Sequence, residues 1–89
     1  MDIKETLEER KVTHGSFVDN SEVSQAIKRI IHTSTNGDTF TSVQNEALEM
    51  IAHKISRICA GNPNEIDHWR DIAGYASLVA DELEKTQAQ

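Results

Sequence analysis

The chain has 89 residues, 15 acidic against 9 basic side chains and a formal net charge of −6, so it fits one domain and lacks the Lys/Arg excess that holds a nucleic-acid backbone. Only 37% of it is hydrophobic, a small core for its length, and a homo-oligomer is expected, most simply a symmetric dimer. No apolar run approaches the roughly 18 residues of a membrane span, no signal-peptide pattern occurs, and the single Cys59 forms no internal disulfide, so the chain reads as soluble and cytoplasmic.

Asp2 to about Arg10 reads as a short helix with Ile3 and Leu7 as contact points, broken at Thr13-His14-Gly15-Ser16. Ser16 can cap a second helix from about Phe17 to His32, where Val23, Ile27, Ile30 and Ile31 recur at helical spacing. Asn36-Gly37-Asp38 then marks a helix–helix loop. Thr41 with Gln44 forms a capping box that opens a third helix, whose seam is Leu48, Ile51, Ile55 and Ile58 and whose end is Gly61. Asn64, or Asn62 followed by Pro63, starts the last helix, which runs to about Lys85 on a seam of Trp69, Ile72, Ala76, Val79 and Leu83; the tail Thr86–Gln89 is expected to fray. No segment alternates with period two. The expected architecture is all-α over residues 1–89: a compact bundle of three main helices plus a short N-terminal one, completed by oligomerisation.

Two acidic pairs stand out. Glu46 and Glu49 are three apart, and Asp67 and Asp71 four apart, which places each pair on one side of its helix. Antiparallel neighbours would let the four carboxylates converge on a hard cation such as Mg²⁺. The alternative is a solvated acidic face, because Glu46, Glu49 and His53 lie nearly opposite the third helix's seam. On the fourth helix Asp67, Asp71, Gly74, Tyr75 and Leu78 share a second side, whose Gly, Tyr and Leu suggest packing rather than solvent; Gly74 there suggests close packing or access. Partly buried carboxylates need partners, and Lys54, Arg57 and Arg70 are the cationic ones in reach. Zinc-ligand spacing, a nucleophilic serine context and a phosphate-binding glycine loop are all missing, and Cys59 beside the seam reads as a small core residue.

Three segments carry a resemblance: Arg10-Lys11-Val12-Thr13-His14-Gly15-Ser16-Phe17 with Asn20, then residues 46–58 with Lys54-x-x-Arg57, then Asp67 to Ala76 with Asp71-Ile72-Ala73-Gly74-Tyr75-Ala76. Together they resemble a family of small phage and prophage proteins and, in their order, the MazG-like all-α nucleotide pyrophosphohydrolases. That resemblance implies an oligomeric helical enzyme in which carboxylate pairs hold Mg²⁺ while water cleaves a nucleoside triphosphate. It assigns Glu46, Glu49 and Asp71 as metal ligands and Asp67 as ligand or base, with His68 standing where the family has a Glu. Lys54 and Arg57 are the implied phosphate contacts, His14 and Asn20 the implied nucleoside contacts, and Tyr75 a stacking or hydrogen-bonding partner. Two alternatives accompany this: a non-catalytic phage protein that sequesters a nucleotide or docks on a host protein, in the cytoplasm of the infected cell, and a purely structural helical module.

Overall fold

Three of the four helices are started or stopped by caps between residues a few positions apart, and the computed structural model, which describes residues 3–88, shows each cap made. The helices are α1 (Ile3–His14), α2 (Phe17–Thr33), α3 (Ser42–Ala60) and α4 (Ile66–Gln87), with no strand among the described residues. The helix α1 outlasts its expected end near Arg10, because its backbone stays helical until Gly15, whose φ of +84° is open to a residue without a Cβ. The Gly15 amide donates to Lys11 O at 3.0 Å and closes the helix. The expected start at Asp2 lies outside the described residues, as does Gln89.

Ser16 caps α2, its hydroxyl accepting from the Asp19 amide at 3.1 Å. Turns from Ser34 to Gly37 and from Asn36 to Thr39 form the helix–helix loop. Both halves of the Thr41/Gln44 capping box are present, at 3.1 and 2.9 Å, and the Gly61 amide ends α3 on Arg57 O. Before α4 the Asn62 carboxamide oxygen accepts from the Asn64 amide. That side chain is spent on its own turn, so α4 begins later than expected, after Glu65, with no side-chain cap.

The arrangement centres on α3. Helices α2 and α4 each pack along it and not along each other, and α1 touches its C-terminal end. The α3 seam of Leu48, Ile51, Ile55 and Ile58 is half-buried, whereas the fully buried positions of α3 are small: Ala47, Ala52 and Ser56. Small side chains there let the helix axes come close. Two expectations about the core are corrected. Trp69 is 56% exposed; its indole N–H donates to Pro63 O at 2.9 Å, so it staples the turn from outside. The inward stripe of α4 is His68, Asp71, Ile72, Tyr75 and Val79, rotated from the expected Trp69–Leu83 line. Cys59 is exposed rather than a core residue, and Gly74 has open space where a Cβ would stand, so neither close packing nor access requires a glycine there. No helix of the described residues is long and apolar enough to cross a membrane.

Candidate anion site where four helices meet

The last turn of α1 must find partners for the carbonyls that no further helix turn satisfies. It finds them on three other elements. Thr13 O accepts from His68 Nε2 of α4 and from the Asn62 amide of the α3–α4 turn, both at 3.0 Å. A carbonyl only accepts, so Nε2 of His68 carries the hydrogen. His14 O accepts a short hydrogen bond from the Asn20 carboxamide, which also donates to Ser16 O at 3.1 Å. Asn20 Oδ1 in turn accepts from the Ser56 hydroxyl at 3.2 Å, a proton shared with His53 O at 2.6 Å. Asn20 thus ties the end of α1, the start of α2 and the middle of α3 together, and both ends of its carboxamide are committed to the protein.

His14 lies in this junction, its ring 5.4 Å from that of His68, and its Nδ1 is buried with no hydrogen-bond partner. Burial first, and then the charges of Arg57, Arg10, His68 and Lys54, push its pKa from an ordinary 6.5 down to about 4. His14 is therefore a neutral imidazole near neutral pH, surrounded by groups of positive sign. Lys54, its side chain only 12% exposed, meets Asp71 at 2.8 Å. The hydrogen bond from Lys54 is the main reason that the Asp71 carboxyl sits below its usual range, with the charges of Lys54, His68 and Arg57 acting the same way and desolvation opposing them. Lys54, paired with Asp71, and the two imidazoles thus lie at one end of an acidic chain, where the charges of Arg57 and Arg10 also act on the His14 ring. Such a set can bind a phosphoryl group, through the guanidinium forks and the ammonium as charge-assisted donors.

Of the residues singled out by sequence, His14, Asn20, Lys54, Arg57 and Asp71 come together here, and Tyr75 follows Asp71 by one turn, half-buried on the same stripe. The acidic pairs do not converge within the chain. Glu49 turns toward α2, where its Oε1 lies 3.7 Å from His32 Nε2, while Asp71 is engaged by Lys54 on the α4 side; Glu46 and Asp67 are exposed. Among the described residues no group of three or more His, Cys, Asp or Glu is arranged to hold a metal ion. His53, expected on a solvated face with the glutamates, is exposed there and lies 3.0 Å from Lys28 Nζ; its pKa is lowered by desolvation first and then by that charge.

Sequence reasoning missed Arg10, Ser56 and His68 as members of the site. The spacing of His68 and Asp71 on one helix face was a usable signal, and so was Ser56 one turn after Ala52, a pair of small residues that marks close helix approach. A family model described as Domain of unknown function (DUF6378) matches residues 3–83. No curated protein and no solved structure matches the chain.

Proposed function

The chain belongs to the DUF6378 family, and we propose that it is a binding module for a phosphorylated ligand, with a nucleotide as the ligand class that its MazG-like resemblance implies. The observation that carries this reading is the nearly enclosed Lys54, paired with Asp71 and followed one helix turn on by Arg57, at the end of the chain where the His14 and His68 rings meet. Like charges held together in the folded state cost free energy unless an anion compensates them, which makes such a cluster a marker of function rather than of stability. In this reading Arg57 and Arg10 fork onto phosphate oxygens. Lys54 is held in place by Asp71 until the anion arrives, and then shared between them. His14 and His68 form the wall beside the anion. Asn20, implied by the resemblance as a nucleoside contact, holds the wall together instead.

Metal-dependent hydrolysis, the activity the same resemblance implies, would need Glu46, Glu49, Asp67 and Asp71 around one ion, whereas binding without turnover needs only the junction residues; the absence of a three-ligand group among the described residues supports the second. The test is calorimetry and pyrophosphate release with a panel of nucleoside mono-, di- and triphosphates, with Mg²⁺ and with chelator. Retention that survives chelation, releases no pyrophosphate and is lost in Arg57→Gln is the expected result. At a ligand concentration of about 100 times Kd the protein should gain about 2.7 kcal/mol of stability. Mg²⁺-dependent pyrophosphate release would replace this reading with the enzymatic one. No heat and no thermal shift with any phosphate would remove both.

A further inference from the structure

Helices bury their apolar stripes by packing in two layers, and this chain provides only one. With α2 and α4 on α3 but not on each other, the main helices form an open layer. Its fully buried apolar side chains, among the described residues, are Ala47 and Ala52 alone. The dimensions agree. The radius of gyration is 15.3 Å, with extents of 50 × 25 × 23 Å, where a chain of this length packed as a globule has about 12 Å. The accessible surface is 6459 Å² for 10.0 kDa, where a folded monomer of that mass exposes about 5,200 Å². The excess, about 1,200 Å², exceeds the roughly 800 Å² that each partner buries in a standard interface.

That surface has a largely apolar recess, a groove of about 350 Å³ between α3 and α4 lined by Phe40, Ala47, Leu48, Ile51, Ala76 and Val79, with Gln44 its polar member. The stripe Ala76–Val79 continues to Leu83, one more turn along α4, where that side chain is 36% exposed. Beside the stripe stand Ala73, Ser77 and Ala80, small and uncharged, so another helix can approach closely there before it reaches Glu84 on the same side. The exposed apolar residues of α1 offer no such surface: Ile3 and Leu7 are interleaved with Lys4, Glu5, Glu8 and Glu9.

We propose that a second copy of this chain docks on the α3–α4 groove, its α4 antiparallel to the first, so that two open layers close face to face around a two-fold axis. The groove and the ridge that fills it are then the same segment in both copies: the Val79–Leu83 turn of each covers the Phe40–Leu48 recess of the other. An isologous contact of this kind is closed and stops at two copies. The groove lies at the N-terminal end of α3 and the cation cluster at its C-terminal end, so pairing leaves the anion site open, and this inference stands whether or not the site binds phosphate.

Sedimentation equilibrium of the full chain at micromolar concentration should give twice the 10.0 kDa chain mass. Leu83→Glu should weaken association by roughly tenfold or more while keeping the helical circular dichroism, since it forces an unpaired carboxylate into the contact. Ile3→Glu should leave association unchanged. If Leu83→Glu fails to fold, the wild-type protein still decides: amide exchange over residues 76–83 should slow as concentration rises, while exchange over residues 3–10 should not. A chain that stays monomeric at every concentration overturns the proposal. So does a dimer that Ile3→Glu breaks and Leu83→Glu leaves intact, or protection that never depends on concentration.

Discussion

Replacing Asn20 by Ala tests the junction on which the candidate site is built. The substitution removes the donor bonds to His14 O and Ser16 O and the acceptor that Oδ1 offers to Ser56. Each hydrogen bond contributes about 0.5–1.5 kcal/mol net, and a carbonyl left without a partner in a part-buried place adds to the loss. Ser56 is spared, because its hydroxyl keeps His53 O. The sum is about 2–3 kcal/mol, against a total of roughly 4–13 kcal/mol for a chain of this size. In a domain of 60–100 residues each kcal/mol moves Tm by about 4–8 °C, so the expected fall is about 10–20 °C. Thermal melting followed by circular dichroism measures it, and amide exchange should show α1 loosening first, since Asn20 is the side chain of α2 that holds its end. Asn20→Asp should be at least as costly, because it keeps the acceptor, loses both donors and sets a carboxylate against two carbonyl oxygens. A Tm within about 3 °C of wild type in Asn20→Ala would refute the junction as described.

The stability of the chain should fall in mild acid. His14 is held at about 4 against an ordinary 6.5, and His53 is lowered as well, so the unfolded chain binds more protons in that window. Stability is then complete above pH 6.5 and declines as pH falls toward 4; the lowered Asp71 adds a further loss only below its ordinary 3.8. Urea midpoints at about pH 7 and about pH 5 read this directly, and a midpoint unmoved between them, or equally moved in His14→Gln, would show that His14 does not contribute. Two glycines should respond with opposite signs. Gly74→Ala, in mid-helix with open space for the methyl, should stabilise by about 1 kcal/mol. Gly15→Ala should destabilise by about 2 kcal/mol or more, because φ is +84° and the new Cβ would stand 2.3 Å from Ala60 O. Paired thermal melts test both, and a Gly15→Ala variant as stable as wild type would contradict the tight approach of α1 to α3.

The parts of the fold that could be read from the sequence are those decided locally. Ser16 with Asp19, Thr41 with Gln44 and Gly61 with Arg57 are bonds between residues three or four apart, so the sequence contains everything that makes them. The rotation of α4 is not local. Trp69 is the largest apolar residue of its helix and was expected inside, yet His68 turns inward because Thr13 O, 55 residues earlier, needs a donor. The same limit governs the site. Among the residues singled out, Lys54 meets Asp71 and Asn20 meets His14 O. The expected convergence of the acidic pairs fails because Glu49 and Lys54 are five residues apart, about 140° around α3, and α2 and α4 flank that helix on different sides. Helical spacing says which residues share a face; only packing says which neighbour that face meets.

Packing also explains why an acidic chain can carry a positive site. Most of its carboxylates lie on exposed helix surfaces, where water and salt screen them within about 10 Å. Lys54, by contrast, is nearly enclosed and faces Asp71 at close range, and His14 is enclosed and kept neutral. Interactions there are less screened than those of the surface charges. The local potential is therefore set by the few groups inside the junction rather than by the net charge of −6. In the proposed binding reading an incoming phosphate would meet the Lys54 ammonium, with the Asp71 carboxylate to displace. In the proposed reading the ligand is a single phosphorylated molecule, which needs only this corner and not the long positive surface that holds a nucleic-acid backbone.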